Sequence, residues 1–271
     1  MAVTDGPDPA SILEMALHVA ELWRYPVKSL AGERLTTAFL APDGIVGDRL
    51  VVVAGPEGVR TSRRQHRLLG LRGTLDAQGR ALINGHAWDS EEALRLVQVA
   101  AGDDAWLEEA HETNRFDILP LLVATDGAVA AFGRDVRRLR PNILIGGVDG
   151  MAEIDWPGGT LRIGDVVISI DSRRTRCPMT TVDPDTLERD PEVLRDIGRR
   201  FNGRLALNAG VIHGGVLREG DLASIVEQPD GIRTVLREQV LQRPAGFIDE
   251  RLVECARLGH SVQPEVAKVR P

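Results

Sequence analysis

Apolar and polar positions alternate with a period of two over much of the chain and switch to a helical period only in places. Val19-Ala20-Glu21-Leu22-Trp23-Arg24-Tyr25 reads as a strand that Pro26 ends, which puts Lys28 and Ser29 in the loop after it. Residues 35–40 read as the next strand, Pro42-Asp43-Gly44 as a turn, and Leu50-Val51-Val52-Val53 as a strand that Arg49 introduces. Residues 74–100 read as a meander, with Ala77-Gln78-Gly79, Asn84-Gly85 and Asp89-Ser90 as turn signals between short apolar runs. Leu161, Ile163, Val166, Ile168 and Ile170 alternate around Gly164-Asp165 and lead the chain towards residue 177. Helical spacing is expected over 191–201, where Val193, Leu194 and Ile197 are apolar, and closing strands over 211–226. The prolines and polar residues of the first 18 positions predict a mobile tail. Residues 228–271 predict a partly helical extension, with a packing helix or a partner contact over 247–258. The pattern as a whole is α+β and mostly β.

Composition narrows the functional classes. The 271 residues are 43% hydrophobic and 27% charged, ordinary for a soluble globular protein, with a formal charge of −7. That charge gives no chain-wide basic surface for nucleic acid or anionic membrane. Positive charge is nevertheless concentrated: Arg60, Arg63, Arg64, Arg67 and Arg72 share a window without an acid, and further clusters lie at 134–140, 173–176 and 195–204. Each reads either as a solvated face or as part of a site for a small anion. Lysine occurs only at positions 28 and 268, so Lys28 after Pro26-Val27 suggests a compact ammonium for a phosphate oxygen. Cys177 and Cys255 are the only cysteines, which excludes a disulfide framework, a zinc ribbon or a four-cysteine iron–sulfur cluster within the chain. No apolar run spans a bilayer and the acidic start lacks a secretory pattern, so a cytoplasmic protein is expected.

Candidate chemistry centres on Cys177. A thiol acts as nucleophile or soft-metal ligand only as thiolate, and Arg173, Arg174 and Arg176 supply charge that favours that form. Asp183-Pro184-Asp185-Thr186 reads as a turn close behind it. On these grounds alone a lone cysteine is better explained as a small buried hydrophobe.

Arg176-Cys177-x-x-Thr180-Thr181-Val182-Asp183-Pro184-Asp185-Thr186 resembles the signature of MOSC-domain proteins, most closely of the amidoxime-reducing components and their bacterial relatives. Tyr25-Pro26-Val27-Lys28-Ser29, Gly47-Asp48-Arg49 and Thr61-Ser62-Arg63 resemble that family's amino-terminal half. Arg140-Pro141-Asn142, running into Ile143-Leu144-Ile145, resembles a further motif. The resemblance covers about residues 19–227. It implies a MOSC-type β-barrel over 106–227 with an interleaved MOSC-N-like β domain over 19–105. It also implies a molybdopterin cofactor (the molybdenum cofactor) with Cys177 as ligand to the metal. Lys28, Ser29, Arg49 and Arg63 would hold the phosphate and pterin from one side, and Arg140, Asn142, Thr175 and Arg176 from the other. At Thr125-Asp126-Gly127-Ala128 the chain departs from the relatives, which carry additional hydroxyls there, so no binding role is assigned to that segment. The implied activity is reduction of N-hydroxylated compounds, amidoximes and hydroxylamines, by oxygen removal. Electrons would come from a separate ferredoxin or flavoprotein, since the region after residue 227 has a single cysteine. A sulfur carrier with a persulfide on Cys177 and a non-catalytic cofactor carrier are the alternatives.

Overall fold

Leu22, buried, sits opposite Ile143, more than a hundred residues further along the chain, and this pairing sets the architecture. The computed structural model describes residues 16–226, so the expected extension over 228–271, its helix over 247–258, Cys255 and all but the end of the expected tail over 1–18 lie outside the described residues. The first half holds β1 (His18–Arg24), β2 (Glu33–Leu35), β3 (Thr37–Ala41), β4 (Gly44–Ile45), β5 (Val51–Gly55), β6 (Gly58–Val59), β7 (Gly73–Leu75), β8 (Ala81–Ile83), β9 (His86–Ala87) and α1 (Glu91–Ala101). Then come β10 (Trp106–Glu109), α2 (Glu112–Arg115), β11 (Leu121–Thr125), α3 (Asp126–Phe132), β12 (Ile143–Gly146), β13 (Thr160–Ile163) and β14 (Val166–Thr175). The described chain closes with α4 (Pro191–Phe201), β15 (Arg204–His213), β16 (Gly215–Arg218) and β17 (Ala223–Val226).

An eight-stranded sheet in the order β17-β13-β14-β15-β11-β12-β1-β2 dominates, and three smaller sheets of three strands accompany it. Its pairs are antiparallel except β11 and β12, which run parallel with α3 between them. A parallel neighbour needs such a crossover, because a tight turn can only reverse the chain. Strands β1 and β2 belong to the amino-terminal half, yet complete the sheet of the carboxyl-terminal half. The β10 strand pairs the other way, back onto β5. The two halves are therefore interleaved, as expected.

Separate apolar clusters follow from this. Val19, Leu22, Val123, Ile143, Ile168 and Leu207 are in the core of the large sheet, and Val27, Leu30, Val53, Leu68, Ile83 and Val97 form that of the amino-terminal half. Phe132, Leu139, Val193 and Phe201 hold α3 and α4 together. One expectation fails. The meander expected over 74–100 ends at β9, and 91–101 is helix α1. Ser90 caps it by accepting from the Ala93 amide at 3.2 Å, Glu91 and Glu92 occupy the positive end, and Ala93, Val97 and Ala101 recur at helical spacing on the buried face. The Asp89-Ser90 pair read as a strand turn is thus a helix start.

Candidate functional site

Strand β14 ends at Thr175, and the Arg176 amide donates to Gly203 O at 2.9 Å, so the extended chain is held to the neighbouring turn as far as Cys177. There Pro178 opens a 3-10 turn over Pro178–Thr181. The Thr180 hydroxyl donates to Cys177 O at 2.9 Å and that of Thr181 to Pro178 O at 2.6 Å, so the hydroxyl pair of the motif fastens the turn that fixes the cysteine. Asp183 accepts from the Asp185 and Thr186 amides at 3.0 Å each, which makes the expected turn. The thiol is free and half-buried.

Cys177 lines a cleft of about 740 Å³ of empty space, part of it open to solvent. Lys28, Ser29, Arg49, Arg63, Arg140, Thr175 and Arg176 line it too, brought from five separate stretches of sequence. Leu119, Leu122, Leu139 and Phe116 supply its apolar walls. Ser29, Arg49 and Arg140 have φ of 73°, 51° and 58°, in the left-handed region that non-glycine residues rarely adopt. Backbone strain of this kind persists where the surroundings enforce it, and it concentrates at functional sites.

Asn142 stands apart from the other expected contacts. It is fully buried, is not part of the cleft wall, and its amide is spent internally: Oδ1 accepts from Leu122 N at 3.1 Å, and Nδ2 donates to Trp23 O at 3.4 Å and Asp48 Oδ2 at 3.2 Å. The side chain expected to contact a pterin is thus turned into the protein and away from the cleft wall. Asp48, also fully buried, accepts from Tyr25 N at 2.7 Å and pairs with Arg49, so Asn142 holds the residue that holds Arg49.

The cations divide into two groups. Lys28 and Arg174 reach the Asp117 carboxylate at 3.1 and 3.0 Å, and Arg63 also pairs with it. Burial raises the Asp117 pKa, but the three cations outweigh it and hold the carboxyl below the usual range. Sequence reasoning missed Asp117 because its partners come from residues 28, 63 and 174, and no local spacing marks it. Arg140 and Arg176 are different. Burial pulls each guanidinium down to about 10. Arg140 lies 4.2 Å from the centre of the Tyr25 ring, and Arg176 donates to Leu139 O at 2.7 Å while its buried Nε has no hydrogen-bond partner. Cations and a free thiol lining one cleft suit an anionic ligand that can also meet the thiol.

At Thr125–Ala128 the side chains are occupied by the fold. Thr125 donates to Glu153 at 2.9 Å, and Asp126 accepts from the Gly147 and Val148 amides at 2.7 and 3.0 Å. Among the described residues no helix is long and apolar enough to cross a membrane.

Comparison with known proteins agrees with the geometry. The model of the MOSC N-terminal beta barrel domain matches residues 16–110, and that of the MOSC domain matches residues 125–224. Mitochondrial amidoxime reducing component 2 of Macaca fascicularis is 28% identical over 62% of this chain and 67% of its own length. Mitochondrial amidoxime-reducing component 1 of Homo sapiens is 27% identical over 65% of this chain and 69% of its own. A molybdenum cofactor sulfurase of Anopheles gambiae is 30% identical over 64% of this chain, which is 19% of that longer protein. With both domain models matched in order and enclosing the cleft between them, the chain belongs to the MOSC-domain family.

Proposed function

We propose that the cleft binds the molybdenum cofactor, with Cys177 as the protein's ligand to the metal, and that the chain reduces N-hydroxylated compounds such as amidoximes and hydroxylamines. The observation that carries this reading is the convergence of a free thiol with Lys28, Arg63 and Arg174 at one cleft. The residues fit the group. Among the described residues no three His, Cys, Asp or Glu side chains gather to hold a metal ion, so a metal at Cys177 calls for further ligands from a bound group, as a dithiolene offers. The unpartnered Arg176 Nε and the cation set around Asp117 are the donors an anionic pterin phosphate needs.

Two-electron redox chemistry is what the cofactor supplies when bound. The chain's own residues bind and orient. Lys28, Arg63 and Arg174 take the phosphate in place of the Asp117 carboxylate, while Ser29 and Arg49 hold the adjoining pterin. Arg140 and Arg176 close the opposite side with Thr175, and Asn142 acts at one remove through Asp48. Leu119, Leu122 and Leu139 keep water from the thiolate side. Electrons arrive from a separate ferredoxin or flavoprotein. The match to a cofactor sulfurase favours a second reading, in which Cys177 carries a persulfide and delivers sulfur.

Purification from a host that makes the cofactor separates the two. Native protein should retain molybdenum and reduce benzamidoxime with an artificial electron donor, and Cys177→Ala should lose both. A metal-free native chain whose Cys177 carries one extra sulfur by mass spectrometry would establish the carrier instead.

A further inference from the structure

Along the segment 61–72, just before β7, burial repeats every three residues. Ser62, Leu68 and Leu71 are buried, the two leucines in the core of the amino-terminal half, while Arg64, Arg67 and Gly70 are exposed. The period has a backbone cause. Arg64 N donates to Thr61 O at 3.0 Å and Leu68 N to Gln65 O at 3.1 Å, and residues His66–Gly70 are a 3-10 helix, in which side chains three apart stack along one side. Arg64 and Arg67 therefore share the outward side.

The other arginine clusters are largely neutralised. Arg134, Arg137 and Arg138 of one, and Arg195, Arg199 and Arg200 of another, each meet a carboxylate. Arg64 and Arg67, with the exposed Arg72 that ends the segment, meet none among the described residues. This basic strip starts at the cofactor cleft. Thr61, Ser62 and Arg63 line the cleft, and the Ser62 hydroxyl donates to Met179 Sδ at 2.8 Å, two residues along the chain from Cys177.

We propose that the strip formed by Arg64, Arg67 and Arg72 docks the electron donor, an acidic one-electron carrier protein. The inference rests on the reductase reading, because a donor is needed only where the cleft does redox chemistry. Breaking the N–O bond of an N-hydroxylated compound takes two electrons and two protons and releases water. Solvent supplies the protons, and two reduced carriers must each dock, give one electron and leave. Such an exchange calls for a brief contact steered by charge rather than for a wide apolar interface. The strip has that character, since none of the exposed large apolar side chains belongs to 61–72. The same lack of an apolar anchor speaks against a lipid surface, and the lack of Phe, Tyr or Trp between the cations speaks against nucleic acid.

Plant-type ferredoxin and flavodoxin, both acidic, serve as probes and are titrated into the full chain at low ionic strength and again at high salt. A carrier should bind, with an affinity that falls at least about tenfold at high salt. Arg64→Glu combined with Arg67→Glu should weaken that binding at least about tenfold at low salt. Arg162→Glu combined with Arg218→Glu, an equal change of net charge at exposed arginines of β13 and β16, should leave it unchanged. In the molybdenum-loaded protein the first pair of substitutions should lower kcat/KM for the carrier, while turnover with reduced methyl viologen, a small cation, should not fall. Circular dichroism checks the fold. Absent binding of both carriers, salt-independent binding, equal loss in the two double variants, or viologen-driven turnover that falls in step would overturn the proposal. Tighter binding of phosphatidylserine vesicles than of either carrier would overturn it in favour of a membrane contact. Carrier binding is also measured on the cofactor-free chain, and molybdenum content and viologen-driven turnover of the native chain test the reductase reading by themselves, so the two failures are distinguishable.

Discussion

Asp117 gathers three cations of the cleft around one carboxylate. Its carboxylate meets Lys28, Arg63 and Arg174 with 30% of the side chain exposed, so those contacts are partly screened but not lost in water. Because its folded pKa is lowered, the stability it contributes is present above the unfolded value of about 3.9 and is lost as pH falls through the lower folded value. Asp117→Asn should flatten that acid limb of the stability profile. It should also lower the melting temperature at neutral pH and low salt, and inorganic phosphate should raise it more in the variant than in the native chain. Thermal scans across pH and phosphate concentration measure all three, and identical phosphate shifts would refute the idea that the carboxylate stands where an anion binds. The motifs marked Cys177, Lys28, Arg49 and Arg140 as cleft residues because each has a characteristic local neighbourhood. Asp117 and the inward turn of Asn142 were not legible, since both depend on contacts between distant segments.

Among the elements, α3 and β15 are joined by a buried acid that no local pattern announces. Glu153 accepts from Thr125, the cap of α3, at 2.9 Å and from the Ala206 amide in β15 at 3.0 Å. Burial raises its pKa against the pull of these hydrogen bonds. The sign is opposite to that of Asp117: stability linked to Glu153 is greatest below the unfolded value of about 4.3 and declines as pH rises towards the folded one. Glu153→Gln should remove this decline, visible in urea titrations between pH 4 and pH 7 as a flatter profile. Strand periods, the turn at Asp183 and helix α4 were legible because each is a local pattern with a local cause. Helix α1 was legible too, in its cap and its apolar spacing at Ala93, Val97 and Ala101, but the turn-like Asp89-Ser90 pair drew the assignment to strand.

For the whole molecule, the placement of β1 between β12 and β2 means that the large sheet is complete only when both halves contribute to it. Tyr25 strengthens the link by donating its hydroxyl to Pro141 O at 3.0 Å. A fragment spanning 106–226 should therefore lack a cooperative unfolding transition, whereas 16–226 should show one by circular dichroism. Independent folding of the shorter fragment would show that β12 can manage without β1. The same placement has a consequence during synthesis. Strand β1 leaves the ribosome among the first described residues, but its partner in β12 follows only about 120 residues later, on the order of ten seconds at ordinary elongation rates. Until then β1 has only the short β2 to pair with, so the nascent chain carries an apolar strand whose other edge is unpaired, and a chaperone that covers short extended segments would find its binding site there first.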